Sequence, residues 1–149
     1  MTVATIHATA LLCGTRGILI RGPSGSGKST LALSLLETAS FARLVGDDRL
    51  HLEAAHGRLL MRPAKALEGL IEIRGLGIRR LPFEPVAVAG LVVDLAASDA
   101  QRLPEPASSS AIIEGISIAR LAVAPGTEAL LPLLAFLRYG EAQTGLARA

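Results

Sequence analysis

The run Gly22-Pro23-Ser24-Gly25-Ser26-Gly27-Lys28-Ser29 reads G-x-x-x-x-G-K-[ST]. At average residue usage its four fixed positions recur by chance in roughly one chain in 200 of this length. The context sharpens it, because the apolar run Ile18-Leu19-Ile20 precedes it and Leu31, Ala32, Leu35 and Leu36 follow at helical spacing. Strand, glycine-rich loop and helix in that order make a cradle for phosphate. Gly25 and Gly27 let the backbone close around phosphate oxygens, and the N–H groups at the helix start favour negative charge. The Lys28 ammonium reaches terminal phosphates and the Ser29 hydroxyl suits a magnesium ion. The expected nucleotide-binding set is Gly22, Pro23, Ser24, Gly25, Ser26, Gly27, Lys28, Ser29 and Thr30.

Transfer of a phosphoryl group also needs an acid beside the cradle, and two places offer one. Asp94 ends the apolar run Leu91-Val92-Val93, as a Walker B aspartate would, or simply terminates a strand. Asp47 and Asp48 end a second strand, Leu44-Val45, that follows the loop helix directly. Paired acids at a strand end can divide the work, one orienting metal or water and the other taking a proton; a solvated turn would look the same.

The elements that must position these residues follow from periodicity. Ile6–Cys13 and Gly17–Arg21 read as a hairpin turning at Gly14–Gly17, and a helix is expected over Lys28 to about Thr38. Leu50–Glu53 with Leu59–Met61 reads as a second hairpin, Leu70–Arg74 as a strand, and Val86–Leu95 as a strand buried on both faces. Ser98–Ser110, with Pro104, Pro106 and three consecutive serines, reads as a surface loop. Ile112–Val123 supplies one or two strands and Gly126–Tyr139 a final helix, its apolar face suited to core packing or an oligomer contact. The expectation is one catalytic domain over 1–140, with 141–149 frayed, built as an α/β core with several antiparallel strands.

Composition excludes other classes. The 149 residues are half apolar and 19% charged, too rich in core-formers for a disordered chain. Aromatic residues make up 3%, which argues against a stacking platform for single-stranded nucleic acid. With 15 Lys+Arg against 13 Asp+Glu the net charge is +2, no basic patch, so no nucleic-acid partner is expected. The single cysteine, Cys13, lies in an apolar run and reads as a core thiol. No apolar stretch approaches the ~18 residues of a spanning helix and no charged leader opens the chain, so the expected setting is cytoplasmic, with no membrane partner. His51 and His56 lack partners at metal-ligand spacing and read as hairpin surface residues.

His7, the loop Gly22–Ser29, Leu44-Val45-Gly46-Asp47-Asp48 and Ile71-Glu72-Ile73-Arg74-Gly75-Leu76-Gly77-Ile78 together resemble the catalytic domain of the HPr kinase/phosphorylase family. The resemblance is close over about residues 4–95 and loose beyond, and Glu72–Ile78 matches that family's signature stretch. It implies a P-loop-containing kinase core with a mixed sheet, ATP and Mg²⁺ as cofactors, and phosphorylation of a serine of HPr, the phosphocarrier of the sugar phosphotransferase system. It also implies a homo-oligomer, hexameric in the family, and a reverse reaction in which inorganic phosphate attacks phosphoserine to give pyrophosphate. By the same resemblance, Lys28 binds phosphate, Ser29 and Glu72 hold the metal, Asp48 helped by Asp47 takes the serine proton, and His7 falls at a catalytic histidine. The family has no acid matching Asp94, which favours Asp47-Asp48.

Three departures stand out. The family's usual N-terminal domain has no counterpart in this sequence, giving the look of a short form with the catalytic domain alone. Pro125-Gly126-Thr127-Glu128 stands where the family carries an arginine-rich stretch linked to phosphorolysis, so that activity is expected to be weak or absent. A catalytic arginine expected before that stretch has only a loose counterpart, Arg102, an ordinary surface arginine on the alternative reading. Arg74 reads either as a phosphate contact or as an ion-pair partner of Glu72, and Arg79-Arg80 as a solvated turn or a contact for an acidic partner. A P-loop kinase of small molecules and a nucleotide-binding regulator without transfer activity are the competing functions.

Overall fold

β3 (Arg16–Arg21) and β9 (Ala87–Asp94) run side by side in parallel at the centre of a nine-stranded mixed sheet. The structure is a computed structural model that describes residues 5–140. β3 is buried on both faces, and its alternation divides them. Ile18 and Ile20 face the helix α1 (Lys28–Thr38) together with Leu91 and Val93, whereas Leu19 and Val92 face the other way. Each such side chain, fully buried, contributes about 1.5–3 kcal/mol. With so few aromatic residues the two cores are built from Leu, Ile, Val and Ala, as the composition requires.

β2 (Thr9–Cys13) pairs antiparallel with β3 on one side and with β4 (Ala42–Gly46) on the other. β4 therefore runs in the same direction as β3, and its C-terminal end emerges at the edge from which the glycine-rich loop leaves β3. β2 runs the opposite way, so its first residue, Thr9, lies at that same edge, opposite Ile20. This arrangement gathers the loop, the Asp47-Asp48 pair and the start of β2 in one place.

The remaining strands extend the sheet. β5 (Leu50–Ala55) and β6 (Arg58–Pro63) form a hairpin, with β6 antiparallel to the start of β9 and β1 (Thr5–Ile6) antiparallel to β5. β7 (Leu70–Ile73) and β8 (Gly77–Arg80) make a separate two-stranded hairpin. β11 (Ile116–Ala122) pairs parallel with the end of β9 and carries β10 (Ser110–Ile113) on its far side. α2 (Leu130–Tyr139) closes the described chain, burying Leu133 against the α1 face. No helix among the described residues is long and apolar enough to cross a membrane.

The mixed α/β core with antiparallel strands is as expected, with local corrections. The run Ile6–Cys13 is not one strand. It breaks at His7-Ala8 because the chain changes partner there, from β5 to β3 and β4. The last helix begins at Leu130, four residues later than its apolar pattern suggests. A turn with Gly126 at φ +73° is closed by Thr127 N–H donating to the Ala124 carbonyl, and the Glu128 carboxylate accepts from the N–H groups of Leu130 and Leu131 at 2.6 and 3.1 Å. Residues 141–149 lie outside the described chain.

Candidate active site at one edge of the sheet

A cleft of about 720 Å³ opens at this edge, and His7, Lys28, Ser29, Asp47, Asp48 and Glu72 all line it. The glycine-rich loop forms one wall. Gly25 and Gly27 have φ of +80° and +97°, in the left-handed region that side chains disfavour, so these backbone positions require glycine. The Lys28 ammonium is almost fully buried and donates to the carbonyls of Gly22 (2.9 Å) and Pro23 (3.2 Å). It has no carboxylate partner among the described residues, which leaves a buried positive charge available to an anion.

Asp47 is the hub of the polar contacts. It is buried, and one oxygen accepts from Thr9 Oγ1 at 2.7 Å. The Ser29 hydroxyl lies 2.8 and 2.9 Å from its two oxygens, and the Glu72 backbone N–H approaches at 3.4 Å. The loop serine of the motif and a strand-end carboxylate are thus in direct contact. Thr9 is a member of this site that sequence reasoning missed. Its hydroxyl is one of several in the chain, and only the β2–β4 register brings it to Asp47.

Asp48 is built differently. Its φ is +74°, and the Arg49 N–H donates across it to the Asp47 carbonyl at 2.9 Å, closing a three-residue turn of the strained, positive-φ kind. Such conformations cost on the order of 1–3 kcal/mol and cluster at functional sites. The turn presents the exposed Asp48 carboxylate to the cleft, 2.9 Å from His7 Nε2. His7 sits in the break between β1 and β2, so the partner change that interrupts the expected strand is what exposes it.

Glu72 and Arg74 reach the cleft from the β7–β8 hairpin. Arg74 also lines a second cavity beside the loop, and no Arg74–Glu72 ion pair occurs among the described residues. Arg79 and Arg80 lie not in a turn but in β8, paired with Ile71 and Leu70, where they are exposed and donate to backbone carbonyls of Ile78 and Glu68. Arg102 lies exposed on the loop after β9 and lines neither cavity, so the structure does not bring it to the other candidates. Of the loop residues, Ser24, Gly25, Gly27 and Thr30 line both cavities, while Pro23 and Ser26 line the second alone.

Asp94, the competing acid, is committed elsewhere. Arg21 grips its carboxylate with two hydrogen bonds of 2.8 and 2.9 Å, and Arg120 adds a third at 2.6 Å. Burial pushes its pKa up, but the hydrogen bonds and charges of the two guanidinium groups outweigh that and hold it below the usual carboxylate value. Arg120 continues to Asp99 at 2.8 and 2.9 Å, and that carboxyl is also lowered by the contact. Asp94 does not line the cleft. Arg120 gave no sign in the sequence, being a lone charge in an apolar strand. Cys13 is a free, partly buried thiol packed at the edge of the core, its pKa raised by burial despite the opposing charge of Arg16.

His51 is only partly buried and has a buried Nδ1 without a partner, while His56 is exposed in the β5–β6 turn; neither lines the cleft. Among the described residues no three His, Cys, Asp or Glu gather closely enough to hold a metal ion by themselves.

Comparisons with known proteins bear on this geometry. The chain is 47% identical over 73 residues to an HPr kinase/phosphorylase of Clostridium beijerinckii, a stretch of 49% of this chain and 24% of that protein. It is 43% identical over 75 residues to an HPr kinase/phosphorylase of Streptococcus thermophilus, 50% of this chain and 24% of that one. The chain thus matches about a quarter of the length of these curated relatives. In three dimensions it is similar to the Hpr(Ser) kinase/phosphatase from Coxiella burnetii, with a TM-score of 0.74 and 26% identity over 91% of this chain and 89% of that one. The family model for the HPr serine kinase C-terminal domain matches residues 2–82, which carry His7, the loop, the Asp47-Asp48 turn and the Glu72 hairpin, and this chain belongs to that family.

Proposed function

We propose that this chain is a cytoplasmic, ATP- and Mg²⁺-dependent serine kinase acting on an HPr-like phosphocarrier protein, with weak or absent phosphorylase activity. The observation that carries the reading is the meeting of loop and acid: Ser29 against Asp47, and Asp48 against His7, in one cleft with Lys28. The kinase names of its relatives, which this chain matches over part of their length, point the same way.

The residues fit a magnesium–nucleotide. Ser29 Oγ and the Asp47 carboxylate are hard oxygen ligands already in contact, with Glu72 lining the same cleft. Magnesium is commonly held by one or two carboxylates plus substrate phosphates, so a larger protein cluster is not required. When bound, the ion neutralises and orients phosphate oxygens. Lys28 and the loop N–H groups hold the phosphate chain. Asp48, oriented by His7, accepts the proton of the acceptor serine as its oxygen bonds to the γ-phosphorus and the bond to the leaving ADP oxygen breaks. Asp47, held by Thr9 and Ser29, keeps the metal-side oxygens in place. Arg74 is the arginine lining the cleft, and its charge suits the transferring phosphoryl group better than that of Arg102.

For the reverse reaction an incoming phosphate must approach a phosphoserine carrying about −1.5 to −2 charge. Arginines offset that repulsion best, and the Pro125–Glu128 turn offers none. Incubation with γ-labelled ATP, Mg²⁺ and a panel of HPr-like proteins tests the reading. Label on a carrier serine is expected. Nucleotide binding without transfer to any carrier would favour a regulator, and label on a small metabolite would favour a small-molecule kinase.

A further inference from the structure

The last aligned pair of β3 and β9 is Arg21 and Asp94, and the glycine-rich loop begins one residue later. Both side chains lie on the sheet face away from α1, since their neighbours Ile20 and Val93 face that helix. There Arg21 grips Asp94 with two donors. Arg120 of β11 holds the same carboxylate while its other nitrogens donate to Asp99 and to the Ser108 carbonyl. Neither arginine lines either cavity beside the loop, and the kinase reading gives them no task. We propose that Arg21, locked by Asp94 and Arg120, is a positioning residue for the phosphate loop: it fixes the loop's first residue, Gly22, whose carbonyl aims the Lys28 ammonium. The proposal rests on the reading of this loop as a phosphate cradle and deepens it.

The backbone carries the effect from Arg21 to the loop. The Leu95 N–H donates to the Arg21 carbonyl at 2.8 Å, so the residue after Asp94 holds the peptide unit that links Arg21 to Gly22. Gly22 is packed against that same residue. A Cβ at Gly22 would come within 3.1 Å of Leu95 Cβ and 2.5 Å of Ser26 Oγ. The carbonyls of Gly22 and Pro23 accept from Lys28 Nζ at 2.9 and 3.2 Å, so the two residues after Arg21 set the place of the buried ammonium. The end of β9 is itself anchored, because the Val123 N–H donates to the Asp94 carbonyl and the Ala97 N–H to the Val123 carbonyl. Arg120 thus ties β11 to β9 where Arg21 ties β9 to the loop strand. A guanidinium suits the task, since its planar fork fixes the angle of a carboxylate as well as its distance. The side chains of Arg120 and Asp94 are only 13% and 15% exposed, which shelters their contact from screening by salt. A loop that leaves its binding position part of the time binds phosphate only from the fraction that remains there. Its apparent affinity falls by that fraction, while transfer from the bound state is untouched.

The test separates affinity from rate. Arg21→Met keeps most of the apolar stem and removes the grip; Arg21→Lys is the milder variant, keeping the charge and losing the fork. Leu59→Ala, in the core on the sheet face away from α1, serves as a variant of lowered stability with the clamp intact. Equilibrium affinity for Mg²⁺-ATP and single-turnover transfer at saturating ATP are measured on each, at a temperature where a thermal melt shows it folded. Arg21→Met is expected to weaken Mg²⁺-ATP about fivefold or more and Arg21→Lys about threefold, with saturated rates within about twofold of wild type. Leu59→Ala should keep its affinity within about twofold. The affinity loss of the double variant Arg21→Met, Asp94→Asn should not exceed the larger of the two single losses, because both remove one clamp. Wild-type affinity in the folded Arg21 variants would overturn the proposal, and Arg21→Lys decides alone if Arg21→Met does not fold. An equal affinity loss in Leu59→Ala would overturn it by reducing the effect to stability, and a double variant whose loss is the product of the single ones would show that Arg21 does not act through Asp94. In each of these cases a wild type that binds Mg²⁺-ATP leaves the phosphate cradle standing. A wild type that binds no nucleotide would remove cradle and clamp together.

Discussion

Thr9 Oγ1 donates a 2.7 Å hydrogen bond to Asp47 from a fully buried position at the first residue of β2, and Asp47 in turn receives the hydroxyl of Ser29. The strand that pairs with the loop strand therefore also fixes the Asp47 carboxylate, to which the kinase proposal gives the metal. Thr9→Val keeps the shape and removes the donor, at a cost of about 1.5–3 kcal/mol for a hydrogen bond to a charged group. The expected outcome is a several-fold rise in the Mg²⁺ concentration for half-maximal transfer, reversed in Thr9→Ser. An unaltered metal dependence in a folded Thr9→Val would show that the threonine only packs.

Lys28 carries a buried charge satisfied only by two loop carbonyls, so its removal should be felt mainly by a bound anion. Lys28→Ala is expected to weaken ATP by about 2–3 kcal/mol, the scale of a hydrogen bond to a charged group. Equilibrium titration reads this directly, and unchanged affinity would contradict the phosphate-loop reading.

The Arg21–Asp94–Arg120 network predicts an acid-dependent stability term. Because the folded pKa of Asp94 lies below its ordinary value, the native state favours the ionised carboxylate. This stabilisation is complete above the unfolded value of about 4 and is lost as pH falls through the lowered folded value. Asp94→Asn leaves two guanidinium groups short of a partner and is expected to cost about 3–5 kcal/mol near neutral pH. The gap in Tm between wild type and variant should narrow below about pH 4. A gap that stays constant on acidification would contradict this.

Direction of reaction follows from charge. Without arginines in the Pro125–Glu128 turn, and with Glu128 committed to the start of α2, pyrophosphate release from serine-phosphorylated HPr and phosphate should be far slower than forward transfer. Comparable initial rates in the two directions would overturn this.

What the sequence disclosed, and what it did not, divides along contact distance. The strand–loop–helix around Lys28, the buried β9 and the hairpins are local patterns, and the helix boundaries Lys28–Thr38 were readable outright. From spacing alone Asp47-Asp48 could be named but not separated from Asp94, since both end apolar runs, and only the family resemblance favoured the pair. The choice depends on which carboxylate is consumed by arginines, and Arg21 and Arg120 lie 73 and 26 residues away from Asp94. The break at His7 and the role of Thr9 were hidden for the same reason, because a strand's partners are not written in its own residues. The late start of α2 reflects turn chemistry at Gly126–Glu128 overriding an apolar pattern.

The central claim is that the Asp47-Asp48 turn, and not Asp94, supplies the acid chemistry. The most direct measurement is single-turnover transfer of γ-phosphate from ATP to the HPr serine by Asp48→Asn and Asp94→Asn, at a temperature where both are folded and saturated with nucleotide. Asp48→Asn is expected to lose roughly 10²-fold or more in rate, the scale of a missing general base, with ATP affinity within a few-fold of wild type. Asp94→Asn should stay within about tenfold of wild type once its lower stability is allowed for. A large loss in Asp94→Asn beside near-normal transfer in Asp48→Asn would contradict the account.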